Sequence, residues 1–165
     1  MFALDAIDRT LLEVLQRDCK TPLAKLGEQV KLSAPSVLDR IRKLEAAGVI
    51  VGFHAAVDAR SVGLDITAFI GISINYAHDI EELLAKVGER PEVLECHHVT
   101  GAHSLLLKIK TNNTASLEAL ISSLRRVEGV TGTETMVVLS TATERARISI
   151  PKLENEAPTR RRKRR

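Results

Sequence analysis

Cysteine is scarce: the chain has only Cys19 and Cys96 among 165 residues, and no Cys-x-x-Cys pair. The two fall in different predicted domains, so neither a disulfide framework nor a zinc knuckle is expected. Long apolar runs are missing too. The apolar stretches are short and broken by charges, which excludes a membrane-spanning helix. The opening residues MFALDAIDRT lack the basic-then-apolar layout of a signal peptide. The expectation is a soluble, cytoplasmic protein with no membrane partner.

General basicity is absent as well, although the formal net charge is +3. Six of the 24 Lys and Arg residues are Arg160 to Arg165, Lys163 among them; without them 18 basic residues face 21 acidic ones, a formal −3. Residues 1–58 hold eight of each sign. Basic character is local, which excludes binding to polyanions by bulk charge. With 44% apolar residues, the chain can bury a real core, and its length suits two small domains.

The segment SAPSVLDRIRKLEAAGVI, Ser33 to Ile50, holds the densest information. Ser33 is placed to cap a helix whose first turn contains Pro35, where a missing N–H costs nothing. Gly48 suits a left-handed exit. Val37, Leu38, Ile41 and Leu44 form an apolar stripe at helical spacing, which leaves Ser36, Asp39, Arg40 and Lys43 on another face. Upstream, Asp5 can cap AIDRTLLEVLQRD, with Asp8 as its capping partner and Ile7, Leu11, Leu12 and Leu15 buried. Thr21-Pro22 reads as a further capped start, leading into LAKLGEQV with Leu23, Leu26 and Val30 inward. Only Lys31-Leu32 separates that helix from the Ser33 cap. Two helices joined so tightly, the second basic on its free side, describe a helix-turn-helix, and VIVGFHAAV after it suits a wing hairpin.

Double-stranded DNA is therefore the expected partner. The contacting set is Ser33, Pro35, Ser36, Asp39, Arg40, Arg42 and Lys43: Pro35, Ser36, Asp39, Arg40 and Lys43 toward base edges, Arg42 toward phosphate. Asp39 either accepts from a cytosine amino group or orients Arg40. A neutral DNA domain holds DNA poorly as a single copy, so affinity must come from pairing copies and from the basic tail.

From Ile66 the apolar period changes to two: ITAFIGISIN places Ile66, Ala68, Ile70, Ile72 and Ile74 on one face. Asp79 is placed to cap IEELLAKVGER, which Pro91 stops. VLECHHVT and LLLKIKT read as strands joined at GAHS, SLEALISSLRRVEGV as a helix and TETMVVLST as a returning strand. The order β-α-β-β-α-β is the ferredoxin-like split unit, giving an α+β fold. RARISI is a candidate edge strand. The expected domains are a winged helix-turn-helix at 1–58, a linker at 59–65, a ferredoxin-like domain at 66–152 and a disordered basic tail at 153–165.

This arrangement resembles the Lrp/AsnC family of leucine- and asparagine-responsive regulators. The matching words are LDAIDRTLLEVLQRD, LSAPSVLDRIRKLEAAGVIVGF, VTG before the hairpin and GVTGTETMVVLS at the last helix-strand junction. The resemblance implies a sequence-specific transcriptional regulator, not an enzyme, whose second domain senses a small-molecule effector and assembles the protein into dimers or larger rings such as octamers. It also implies an effector site at Gly101, Ala102, His103 and Ser104, with Thr133 and Thr135. Amino-acid-binding members carry Gly-x-x-Asp at that turn. Here Ser104 replaces the aspartate, and an ammonium group loses a charge-assisted bond worth roughly 1.5–3 kcal/mol.

Cys96, His97, His98 and His103 are the one cluster with the look of chemistry. Neighbouring strand residues point to opposite faces, so His97 and His98 cannot share one metal within a sheet, and no metal or cofactor is expected. Two alternatives use the same features: an enzyme like the siroheme decarboxylases, which resemble these regulators in fold, and an architectural protein that coats DNA.

Overall fold

The structure, a computed structural model, describes residues 2–75 and 80–151. It divides into two units, one running to Ala55 and joined by the residues from Glu144, the other Ala56–Thr143. The expected Asp79 cap and the tail 153–165 lie outside the described residues.

The first unit holds α1 (Ala6–Leu15), α2 (Leu23–Val30) and α3 (Ala34–Ala46). The α1 cap is the expected reciprocal one: the Asp8 N–H donates to the Asp5 carboxylate at 2.8 Å, and the Asp5 N–H to Asp8 at 3.2 Å. At α3 the Ser33 hydroxyl accepts from the Ser36 N–H. At α2 the expected Thr21 cap does not form. Its hydroxyl donates back to the Asp18 carbonyl at 2.8 Å, Pro22 becomes the cap, and no side chain bonds the first turn. The turn into α3 is tight enough to bring the Leu32 carbonyl against Gly27, where an added Cβ would lie 2.4 Å from that oxygen. Leu11, Leu15, Leu26, Val37 and Ile41 form the core of this unit.

Two expected strands are absent. Residues 51–57 form no wing: none of them lies in a strand, and Val51 is 91% exposed. Gly52 sits inside the run and weakens a strand there, with no side chain to pack. RARISI is not an edge strand either. The Ile148 N–H donates to the Gln16 side-chain oxygen at 2.9 Å, so this backbone is satisfied by α1 rather than by a sheet. The segment accordingly groups with the helical unit, whereas the expected second domain, 66–152, had included it.

The second unit begins with a single 3-10 turn at Arg60–Val62, within the expected linker. It continues with β1 (Ile66–Ile74), α4 (Ile80–Gly88), β2 (Val93–His98), β3 (Leu105–Thr111), α5 (Thr114–Arg125) and β4 (Val130–Val137). The strands form one antiparallel sheet in the order β2-β3-β1-β4, as the ferredoxin-like expectation requires. Ala68, Ile70 and Ile72 pair with Ile109, Leu107 and Leu105, and with Leu83, Val87, Leu117, Leu120 and Leu124 of the helices they make a fully apolar core. Period-two alternation sends Thr67, Phe69, Gly71 and Ser73 to the other face, which among the described residues neither helix covers.

Candidate functional site

On α3 the structure separates residues that the sequence grouped together. Arg40 turns inward, donating through Nη1 to Asp5 at 2.7 Å and to Asp8 at 2.8 Å. Asp8 is 6% exposed, so this guanidinium neutralises a buried carboxylate as well as its capping partner. Hydrogen bonds to Asp5 and then Asp8 hold the Arg40 pKa above its ordinary value. The expected approach of Arg40 to base edges is thereby replaced by a bracing role between α3 and α1.

Asp39 does not orient Arg40. It pairs one turn on with Lys43 at 2.8 Å, with both side chains about two-thirds exposed. An exposed pair of this spacing is worth only roughly 0.3–0.5 kcal/mol, so Lys43 is readily released to another anion. Ser33 and Ser36 join hydroxyls at 2.8 Å at the exposed start of the helix, beside exposed Pro35, and Arg42 is exposed on the adjoining face. Phe2, Leu32, Pro35, Ser36, Asp39 and Lys43 line a shallow depression over the Asp8–Arg40 contact. The composition of α3 alone could not reveal that Asp5 and Asp8 hold Arg40. The signal was their reciprocal capping pattern, which places both carboxylates at one end of α1.

In the second unit the β2–β3 connection folds tightly. The Val99 N–H donates to the Ser104 carbonyl at 3.0 Å, and the Ser104 N–H donates to Ile72 at 2.9 Å. Gly101 lies in the left-handed region at φ 119°, and Ala102 is exposed beside it. The His103 ring lies flat against Gly71, and its Nε2 meets the Glu134 carboxylate at 2.7 Å. Glu134 and Gly71 are direct partners between β4 and β1.

Thr133 and Thr135 pair with Ile72 and Ile70, so they stand on the opposite, helix-covered face. Thr133 accepts from Arg125 of α5 at 2.8 Å. The structure therefore brings His103 to Glu134 and keeps the two threonines away from it. Glu134 escaped sequence reasoning, although its place between two threonines at period two put it on the hairpin's side of the sheet.

His97 pairs with Glu95 at 3.1 Å, and Lys108 reaches Glu95 at 3.3 Å. Hydrogen bonds from His97 and then Lys108 hold the Glu95 carboxyl below its ordinary range. Burial alone pushes the Cys96 thiol up, so it is not an activated thiolate. Among the described residues no three His, Cys, Asp or Glu side chains gather as metal ligands, and no helix is long and apolar enough to cross a membrane.

A helix-turn-helix unit joined to a ferredoxin-like unit with one uncovered sheet face defines a two-domain protein of the DNA-binding type. The AsnC-type helix-turn-helix model matches residues 4–45, and the Lrp/AsnC ligand binding domain matches residues 67–148. The chain belongs to the Lrp/AsnC family. It is 34% identical over 147 residues to the HTH-type transcriptional regulator FL11 of Pyrococcus furiosus, covering 89% of this chain and 97% of that protein. It is 32% identical over 139 residues to the regulatory protein AsnC of Escherichia coli, covering 84% and 91%. The solved structure of Escherichia coli AsnC superposes with a TM-score of 0.81 at 31% identity, covering 87% of this chain and 97% of that one. A Neisseria meningitidis transcriptional regulator in complex with L-methionine gives 0.83 at 31% identity, covering 89% and 97%.

Proposed function

We propose that the chain is a sequence-specific DNA-binding transcriptional regulator that works as an oligomer and is modulated by a small molecule bound in its second domain. The observation that carries this reading is the capped helix α3, braced against α1 by Arg40 and presenting Ser33, Pro35, Ser36, Asp39 and Lys43 to solvent. A rigid helix with exposed hydroxyls and a releasable lysine suits the major groove, and Arg42 suits the flanking phosphates. A dimer presenting two such helices would read half-sites about 34 Å apart, or a multiple of that.

The effector reading is supported by the complexes of two family members with L-methionine, the Neisseria protein and a Mycobacterium tuberculosis feast or famine regulator. In this chain the hairpin carries Ser104 and the His103–Glu134 pair. Its ligand is therefore one that does not depend on an aspartate at position 104.

Footprinting across genomic fragments, with and without candidate metabolites, tests the proposal. Discrete protected sites whose occupancy changes with a metabolite are expected. Continuous coverage would instead indicate a DNA-coating protein, and no protection would leave an enzyme like the siroheme decarboxylases as the better reading.

A further inference from the structure

The chain has three phenylalanines, one tyrosine and no tryptophan, and one of these few aromatic rings, Phe2, stands beside α3. Its position is set from α1. The Asp5 N–H donates to the Asp8 carboxylate at 3.2 Å and Arg9 donates to the Leu4 carbonyl at 3.4 Å, so the backbone just before the helix is tied to its first turn. Arg40 bonds both Asp5 and Asp8, which sets that end of α1 against α3. Phe2 joins the surface there and not the core: it is 42% exposed and takes no part in the apolar cluster of the helical unit.

The depression that Phe2 shares with α3 is lined by two kinds of group. Phe2, Leu32 and Pro35 are apolar, whereas Ser36, Asp39 and Lys43 are polar and follow one another at three and then four residues on one face of the helix. Pro35 and Ser36 belong to the first turn, the part of a reading helix that meets base edges. In the major groove a thymine presents a C5 methyl beside an O4 acceptor, a pair that no other base offers. An exposed ring next to a hydroxyl and a releasable ammonium complements that pair, methyl to ring and oxygen to donor. A phosphate contact would leave the ring wet.

We infer that Phe2 is a base-reading residue, and that the depression it forms with Pro35, Ser36 and Lys43 receives the C5 methyl of a thymine in the half-site that α3 reads. The inference rests on the proposed DNA-binding function and adds a base identity to it. The reader lies outside the matched helix-turn-helix, which begins at residue 4.

Single thymine-to-deoxyuridine exchanges test it on the full chain, because each removes one methyl group and leaves base pairing intact. On an operator mapped by footprinting, affinity should fall about fourfold at one thymine of a half-site, the worth of one buried methyl returned to water. Phe2→Ala should bind the thymine and uracil forms of that position alike. Phe2→Leu retains an apolar side chain and should keep part of the response, and both variants should unfold at the native temperature because the core does not use the ring. A half-site in which no thymine responds, or responses that all persist in Phe2→Ala, overturns the inference and leaves Phe2 as a cover over the Asp8–Arg40 pair. Absence of any protected operator overturns the DNA-binding function and the inference with it.

Discussion

Arg40 of α3 and Asp8 of α1, 32 residues apart in sequence, are ion-paired at 2.8 Å. The contact converts a helix cap into a brace: Asp5 and Asp8 close the first turn of α1 with their backbone, and the same two carboxylates receive the guanidinium of α3. Removing the cation leaves Asp8 buried without its charge partner. Arg40→Ala should therefore destabilise the helical unit by about 1–3 kcal/mol, read from chemical denaturation. DNA affinity should fall by a similar factor for every sequence, because the whole helix is loosened. A loss confined to preference at one base pair would return Arg40 to the bases.

Acid should act through the same brace. Burial works to raise the Asp5 carboxyl, but the Asp8 N–H and the Arg40 guanidinium outweigh it and hold the pKa below its ordinary value. A carboxylate depressed in the folded state contributes stability above its unfolded pKa and loses it as pH falls through the folded one. The helical unit should weaken as pH drops below about 4, and Arg40→Gln should flatten that dependence. An unchanged acid limb in the variant would show that other carboxylates set it.

The uncovered sheet face predicts self-association. Phe69 and its direct partner Met136 stand on it, with Leu106 on the same face opposite Gly71, and Met136 remains 45% exposed. Such a face is ordinarily buried by a second sheet, at about 25 cal/mol per Å² of apolar area removed from water. Light scattering at micromolar concentration should report at least a dimer, and Met136→Lys with Leu106→Lys should shift it toward monomer. A native monomer at that concentration would rule the interface out.

Much of this was legible in the sequence because local rules act alone where they act strongly. The Ser33 cap, the Asp5–Asp8 reciprocal cap and the period-two run from Ile66 each depend on neighbours a few residues away, and each forms as expected. The Thr21 cap lost to a local rival, the Asp18 carbonyl three residues back, and most other misses depend on distant partners. The alternation of RARISI is a strand signal, yet its backbone meets Gln16, more than a hundred residues earlier. Arg40 sits at a solvent-facing helical position until Asp5 and Asp8 are brought beside it. The face of Thr133 and Thr135 turns on a register of one residue, which inverts every side chain on β4.

Specific and non-specific affinity should be separable. Lys43→Ala should cost roughly 1–3 kcal/mol of discrimination and relax preference at a single position if its ammonium leaves Asp39 for a base edge. Deleting Arg160–Arg165 should leave discrimination intact and weaken binding to all sequences. If all six cations meet phosphates, the slope of log affinity against log salt should fall in magnitude by up to about five per arm. An identical salt slope in the truncated protein would exclude the run from the complex.

The effector response should depend on Gly71. An added Cβ there would lie 2.3 Å from the His103 ring, so the ring can rest on the sheet and reach Glu134 only because β1 has no side chain at this point. Gly71→Ala should displace His103 and break the pair while leaving the helical unit untouched. With Ser104 unable to supply a negative charge, free amino acids should bind weakly to the native protein, and Ser104→Asp should strengthen ammonium recognition. Calorimetry against the common amino acids separates the possibilities. Tight binding by the native chain that is lost in Glu134→Gln would mean that Glu134 supplies the missing carboxylate from the neighbouring strand. Tight binding that survives both Glu134→Gln and Gly71→Ala would place the ligand elsewhere and remove His103 from the site.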